Sequence, residues 1–183
     1  VTTPEAIVPD TKDWTWVLER PCEQCGFDTR TVRREDVPAL LRATAEAWLP
    51  VLSRPDARDR PRPDVWSALE YGCHTRDVYR VFATRLASML AEDSPHFDNW
   101  DQDATAVAER YSEQDPAVVA SELGDAAESL AESFGAVRDD QWGRTGLRSD
   151  GAAFTVETLA RYLLHDPVHH LWDVGAPLEW AAS

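Results

Sequence analysis

Apolar residues recur at helical spacing through four long stretches of this chain, and that period restricts it to packed helices. The first stretch opens at Glu35 or Asp36 with Pro38 near its first turn, and runs through Leu40, Leu41, Ala45, Trp48, Leu49 and Leu52. The Pro- and Arg-rich run from Arg54 to Pro63 breaks it. A second helix starts after Asp64 and continues to about Glu92, with Val65, Leu69, Tyr79, Phe82, Leu86, Met89 and Leu90 as its buried stripe. The third is capped by Asp115, carries Pro116 at its first position and ends at Gly135. The fourth spans 155–174 and stops at Gly175.

Between them, 93–103 reads as a loop covering one end, 104–112 as a short helix, and 138–153, with Gly143, Gly146 and Gly151, as a long irregular connection. Residues 1–30 read as a leader lying on the body, with 13–18 a short extended piece. The expectation is therefore an all-α four-helix bundle with long inter-helix loops over 31–183, in which sites are built from side chains on facing helices.

Charge narrows the partners. The net charge is −15, and residues 91–140 carry 14 acids against two arginines. Such a field repels phosphate backbones, so no nucleic-acid partner is expected. No basic start followed by an apolar stretch is present, and no run is long enough to span a bilayer, so the expectation is a cytoplasmic protein with no membrane contact.

Three of the five histidines fall in His165-Asp166-Pro167-Val168-His169-His170. Imidazoles four residues apart on a helix point the same way, so His165 and His169 can share one cation. A third nitrogen is available from His74, which lies in line with Tyr71, Val78, Val81, Phe82 and Arg85 on the second helix. Three protein ligands with one open position describe a catalytic metal site, and nitrogen ligation suits zinc, nickel, iron or copper. Glu70, Asp77 and Asp173 are placed to hold the far ring nitrogens. The same spacing also fits histidines that are ordinary polar core residues or that sit near a helix end. Pro167 predicts a kink, or a new helix capped by Asp166, because proline inside a helix loses a donor and costs roughly 3 kcal/mol.

Cys22-Glu23-Gln24-Cys25-Gly26 looks like half of a zinc knuckle. Cys73 is the only other cysteine, so a four-sulfur site is impossible, and the expected role is packing or loop closure. Trp66, Trp100, Trp142 and Trp172 read as core or lid aromatics, with Trp142 and Trp172 the candidates for a substrate wall.

The helix pattern, His74 midway along the second helix, the glycine-containing connection and the pair His165 and His169 together resemble the DinB/YfiT-like superfamily of bacterial metalloproteins over residues 36–173. The leader from Asp13 to Cys22 looks like that of actinobacterial members. The resemblance implies that His74, His165 and His169 bind a divalent metal, zinc first and nickel or iron next, with water completing the shell. It further implies low-molecular-weight thiol chemistry, since relatives include mycothiol-dependent isomerases and S-transferases, and pairing of two copies through a bundle face.

The leading expectation is a metal-dependent S-transferase or isomerase acting on a small molecule with a thiol such as mycothiol as co-substrate. In it His170 or Asp166 moves protons and Arg85, with Arg76 or Arg80, holds an acidic group. The alternatives are a metal-dependent hydrolase with Glu70 or Asp166 as base, and a protein that binds a metal or ligand without turnover.

Overall fold

A computed structural model describes Ile7 and residues 12–178. The leader's residues 1–6 and 8–11 lie outside the described part. Helices run over Val37–Leu52 (α1), Ala68–Ala91 (α2), Gln102–Ala108 (α3), Pro116–Gly135 (α4) and Val156–Asp173 (α5). The four long ones form the bundle: α4 packs along both α1 and α2, and α5 closes against α1 and α2. Leu41, Trp48, Leu69, Tyr79, Leu86, Leu123, Leu130, Phe134, Leu159 and Leu163 meet inside, each wholly buried or nearly so. Burying such a side chain contributes about 1.5–3 kcal/mol, which is what holds helices of ordinary propensity together.

Side chains set the helix starts. Ser67 accepts the Glu70 backbone N–H at 3.2 Å, and the Ser67 N–H returns a bond to Glu70 Oε2 at 2.8 Å, so α2 opens on this reciprocal cap rather than directly after Asp64. Asp115 accepts from the Ala117 and Val118 N–H groups ahead of Pro116 in α4. Thr155 and Thr158 cap α5 in the same reciprocal way. α5 runs through Pro167 as one helix, so no second helix begins at Asp166.

The connection expected to be irregular is instead ordered as strands. His96–Phe97 (β1) lies parallel to Thr145–Arg148 (β2), which pairs antiparallel with Ala153–Thr155 (β3). Asp150-Gly151 turns the hairpin, Gly151 taking φ +95°, a left-handed conformation that favours glycine. At Gly146 a side chain has no room: an added Cβ would lie 2.7 Å from Phe97 and 2.9 Å from Met89. This sheet carries Arg148 and Asp150 to the mouth of the site, and the α2–β1–α3 connection carries Trp100.

In the N-terminal segment Val17, Cys22 and Phe27 are buried, as is Val32 just after it. Its residues Thr15–Leu18 form a 3-10 turn rather than an extended piece, and lie against α5. No helix among the described residues is long and apolar enough to cross a membrane.

Candidate metal centre and substrate cavity

α5 presents two overlapping pairs at four-residue spacing, Asp166 with His170 and His165 with His169, displaced by one residue and so by about 100° around the helix. The two pairs face different neighbours. Asp166 and His170 meet His74 of α2, and the three ligand atoms lie within 4.8 Å of one another. His165 and His169 meet Cys22 and Cys25 of the leader, again with all ligand atoms within 4.8 Å. The trio expected from the sequence is therefore divided: His74 stands with Asp166 and His170, and the other two histidines belong to a separate cluster.

His74 is fully buried on α2, stacked flat on Trp100 at 5.2 Å and tilted against Trp66 at 5.4 Å. Its Nε2 lies 3.3 Å from Asp166 Oδ1, and His170 Nε2 lies 3.8 Å from that same oxygen. Asp173 Oδ2 bonds His170 Nδ1 at 2.8 Å, fixing the ring so that Nε2 turns toward the centre. Burial pushes the Asp166 carboxyl up, but His74 and His170 outweigh it and hold it well below the usual carboxylate range. It is the anionic member of the group.

Among the described residues, Asp166 Oδ1 and His74 Nδ1 are buried with no hydrogen-bond partner. Orphaned buried polar atoms are rare, and a carboxylate oxygen facing two imidazole nitrogens is relieved by a cation. Two histidines and one carboxylate form a donor set that suits zinc, iron or nickel and leaves coordination positions open. These residues fit the metal that the sequence resemblance implies.

The centre faces a cavity of about 1060 Å³, walled by Trp66, Tyr71, Trp100, Arg85, Arg148 and Tyr162. That is at the upper end of the usual range for small-molecule sites. Arg85 is buried over Phe82 and Phe97, donates to the Asp98 carbonyl at 2.9 Å, and has its pKa lowered to about 10 by burial and by Arg148. Arg148 donates to Asp150 and to the Tyr162 hydroxyl. The two guanidiniums stand here beside the Asp150 and Asp13 carboxylates, and Arg85, which no carboxylate pairs directly, offers a charge-assisted donor to an anionic group on whatever binds there.

Several expected site residues lie elsewhere. Glu70 turns away from the cavity: its carboxylate is held by the Ser67 N–H and by the Arg60 guanidinium as part of the α2 cap. Trp142 is a core ring stacked on Phe134 at 6.0 Å. Trp172 is 41 % exposed and covers His169 at 5.6 Å, outside the cavity lining. Asp77 is bound by Arg76, Arg80 and Tyr111, so it does not orient His74, and those two arginines are spent on it and on Glu122. Arg85, Asp166 and His170 do line the cavity. Sequence reasoning missed Arg148, which carries no periodic signal, missed Tyr162, which stands one turn before Asp166 on the same stripe of α5, and missed Cys22 and Cys25 as companions of His165 and His169. The C-x-x-C and H-x-x-x-H spacings were the available clue to that second group.

The model of the DinB superfamily matches residues 18–174. Among solved structures, the chain is similar to one described as "YfiT from Bacillus subtilis is a probable metal-dependent hydrolase with an unusual four-helix bundle topology", at 17% identity and a TM-score of 0.69, over 84% of this chain and 88% of that one. No protein of curated function matches. At that identity the structural likeness speaks for the bundle alone, while the family match takes in every helix and both side-chain clusters: the chain belongs to the DinB superfamily.

Proposed function

We propose that the protein is a divalent-metal-dependent enzyme that uses His74, Asp166 and His170 to act on a small anionic substrate, with a low-molecular-weight thiol such as mycothiol as co-substrate. The observation that carries the reading is the orphaned Asp166 oxygen facing two imidazole nitrogens at the wall of a large cavity. His74, Asp166 and His170 would hold a zinc, nickel or iron ion, which would supply the Lewis acidity that lowers the pKa of a bound thiol or water.

The remaining steps belong to the chain's own residues. Arg85 holds an acidic group of the substrate or thiol, beside Arg148 on the same wall, which Asp150 and Tyr162 already engage. Trp66, Trp100 and Tyr71 form apolar walls that exclude water and fix the orientation of the bound molecules. Asp173 steadies His170 through Nδ1. Many of the cavity's carboxylates are already engaged, Asp13 with Thr15, Asp64 with Arg62, Asp101 with the Ala104 N–H and Asp150 with Arg148. A general base for water is correspondingly scarce, which tilts the reading toward thiol transfer or isomerisation.

Hydrolysis is the second reading, supported by the description of YfiT as a probable metal-dependent hydrolase. The deciding assay loads the full chain with zinc, nickel or iron(II) and follows an electrophile such as monochlorobimane with and without mycothiol, beside a panel of amide and ester substrates. Consumption that needs both thiol and metal, and is lost in His74→Ala, is the expected result. Metal-dependent ester or amide cleavage without thiol selects hydrolysis, and no turnover with bound metal contradicts both.

A further inference from the structure

We propose that Cys22, Cys25, His165 and His169 form a second, closed metal site that takes a zinc-class divalent cation in a two-sulfur, two-nitrogen shell and fastens the N-terminal segment to α5. This site is independent of the catalytic reading, since it shares no ligand with His74, Asp166 and His170.

The four ligand atoms already lie within 4.8 Å of one another. Around a tetrahedral zinc with bonds of about 2.0–2.3 Å, ligand atoms sit about 3.3–3.8 Å apart, so the cluster needs to contract by about 1.5 Å at most. Cys22 Sγ and His169 Nδ1, at 3.6 Å, already have that separation. Cys22, His165 and His169 are buried, Cys25 half-buried. Nε2 of His165, a residue only 4% exposed, has no hydrogen-bond partner among the described residues. A buried imidazole nitrogen left unpaired is costly, and coordination removes the cost.

The backbone around the cysteines has the form a metal knuckle needs. The Gly26 N–H returns to the Cys22 carbonyl at 2.9 Å, and Gly26 takes φ +76°, so the chain doubles back and presents both sulfurs to one side. The ligands come from C-x-x-C and H-x-x-x-H units, a Cys2His2 set split across the chain by 139 intervening residues, positions 26 to 164.

Four protein ligands leave no open position, so this site holds structure rather than reacting. Loading a dication releases the two thiol protons and leaves the cluster neutral, which suits a buried place. The consequence reaches the cavity. Trp14, whose ring lies 5.3 Å from His165 and 4.8 Å from His169, and Gln24, between the two cysteines, both line the cavity. The cation thus orders one wall of the substrate site.

The test uses the reduced full chain, titrated anaerobically with cobalt(II) as the spectroscopic probe. The wild type should develop a thiolate-to-cobalt charge-transfer band and tetrahedral visible bands, both displaced by zinc. They should persist in His74→Ala, which breaks only the other centre, and vanish in Cys22→Ser/Cys25→Ser. Absence of the thiolate band in the wild type overturns the proposal, as does its survival in the double serine variant. A Cys22–Cys25 disulfide that reforms in the presence of zinc, read as intact mass without reductant, also overturns it. The wild-type spectrum decides the matter even if the serine variant fails to fold.

Discussion

For single residues, the side of α5 that each polar group faces decides its chemistry. Asp173 lies outside the proposed ligand set yet holds His170 through Nδ1. Asp173→Asn should therefore weaken metal binding at the His74 centre by about 10–100-fold while leaving the helix content unchanged, as read by competition with a chelating dye and by circular dichroism. Arg85 is predicted to act on substrate and not on metal. Arg85→Met should retain the metal while raising KM for an anionic substrate by roughly tenfold or more, the loss of one charge-assisted hydrogen bond. Equal losses in metal content and KM would place Arg85 in the scaffold instead.

At the element scale, the helices were legible because each carries both a period and a stop: Asp115-Pro116 opens α4, and Gly175, at φ +65°, follows the end of α5. The sheet was not, because strands of two to four residues are too short to show alternation. Only Asp150-Gly151, a hairpin dipeptide, hinted at it. The candidate site was half legible. His74 and the importance of 165–170 were readable, but two overlapping i, i+4 pairs differ by one residue, and hydrophobic spacing cannot say which of them faces α2. The partners of the other pair lie some 140 positions earlier in the chain, beyond the reach of any local pattern.

Two predictions belong to this scale. Gly146→Ala drives a Cβ into Phe97 and Met89 and should destabilise the protein by about 1–3 kcal/mol in urea unfolding. Glu70 is opposed by burial but held by Arg60 and Ser67, so its folded pKa lies below the ordinary value. A lowered carboxylate pKa adds stability that is present above the unfolded pKa of about 4.3 and is lost as pH falls through the folded value. Wild type should exceed Glu70→Gln in stability at neutral pH, and the gap should narrow as pH falls below about 4.3.

At the scale of the whole molecule, α5 serves as a shared spine. One stripe closes the leader onto the bundle through sulfur and nitrogen, and the adjacent stripe completes an open centre with α2. Metal should therefore stabilise the fold as well as enable turnover. A cation at about 100 times its dissociation constant adds about 2.7 kcal/mol, a rise in Tm of about 5–10 °C for a chain of this size, which a strong chelator should reverse.

The most direct test of this division is an anomalous difference map recorded at the zinc edge from crystals of the full chain grown with zinc. A peak is expected between His74 Nε2, the Asp166 carboxylate and His170 Nε2. No density there, or one peak shared by His74, His165 and His169, would contradict this division.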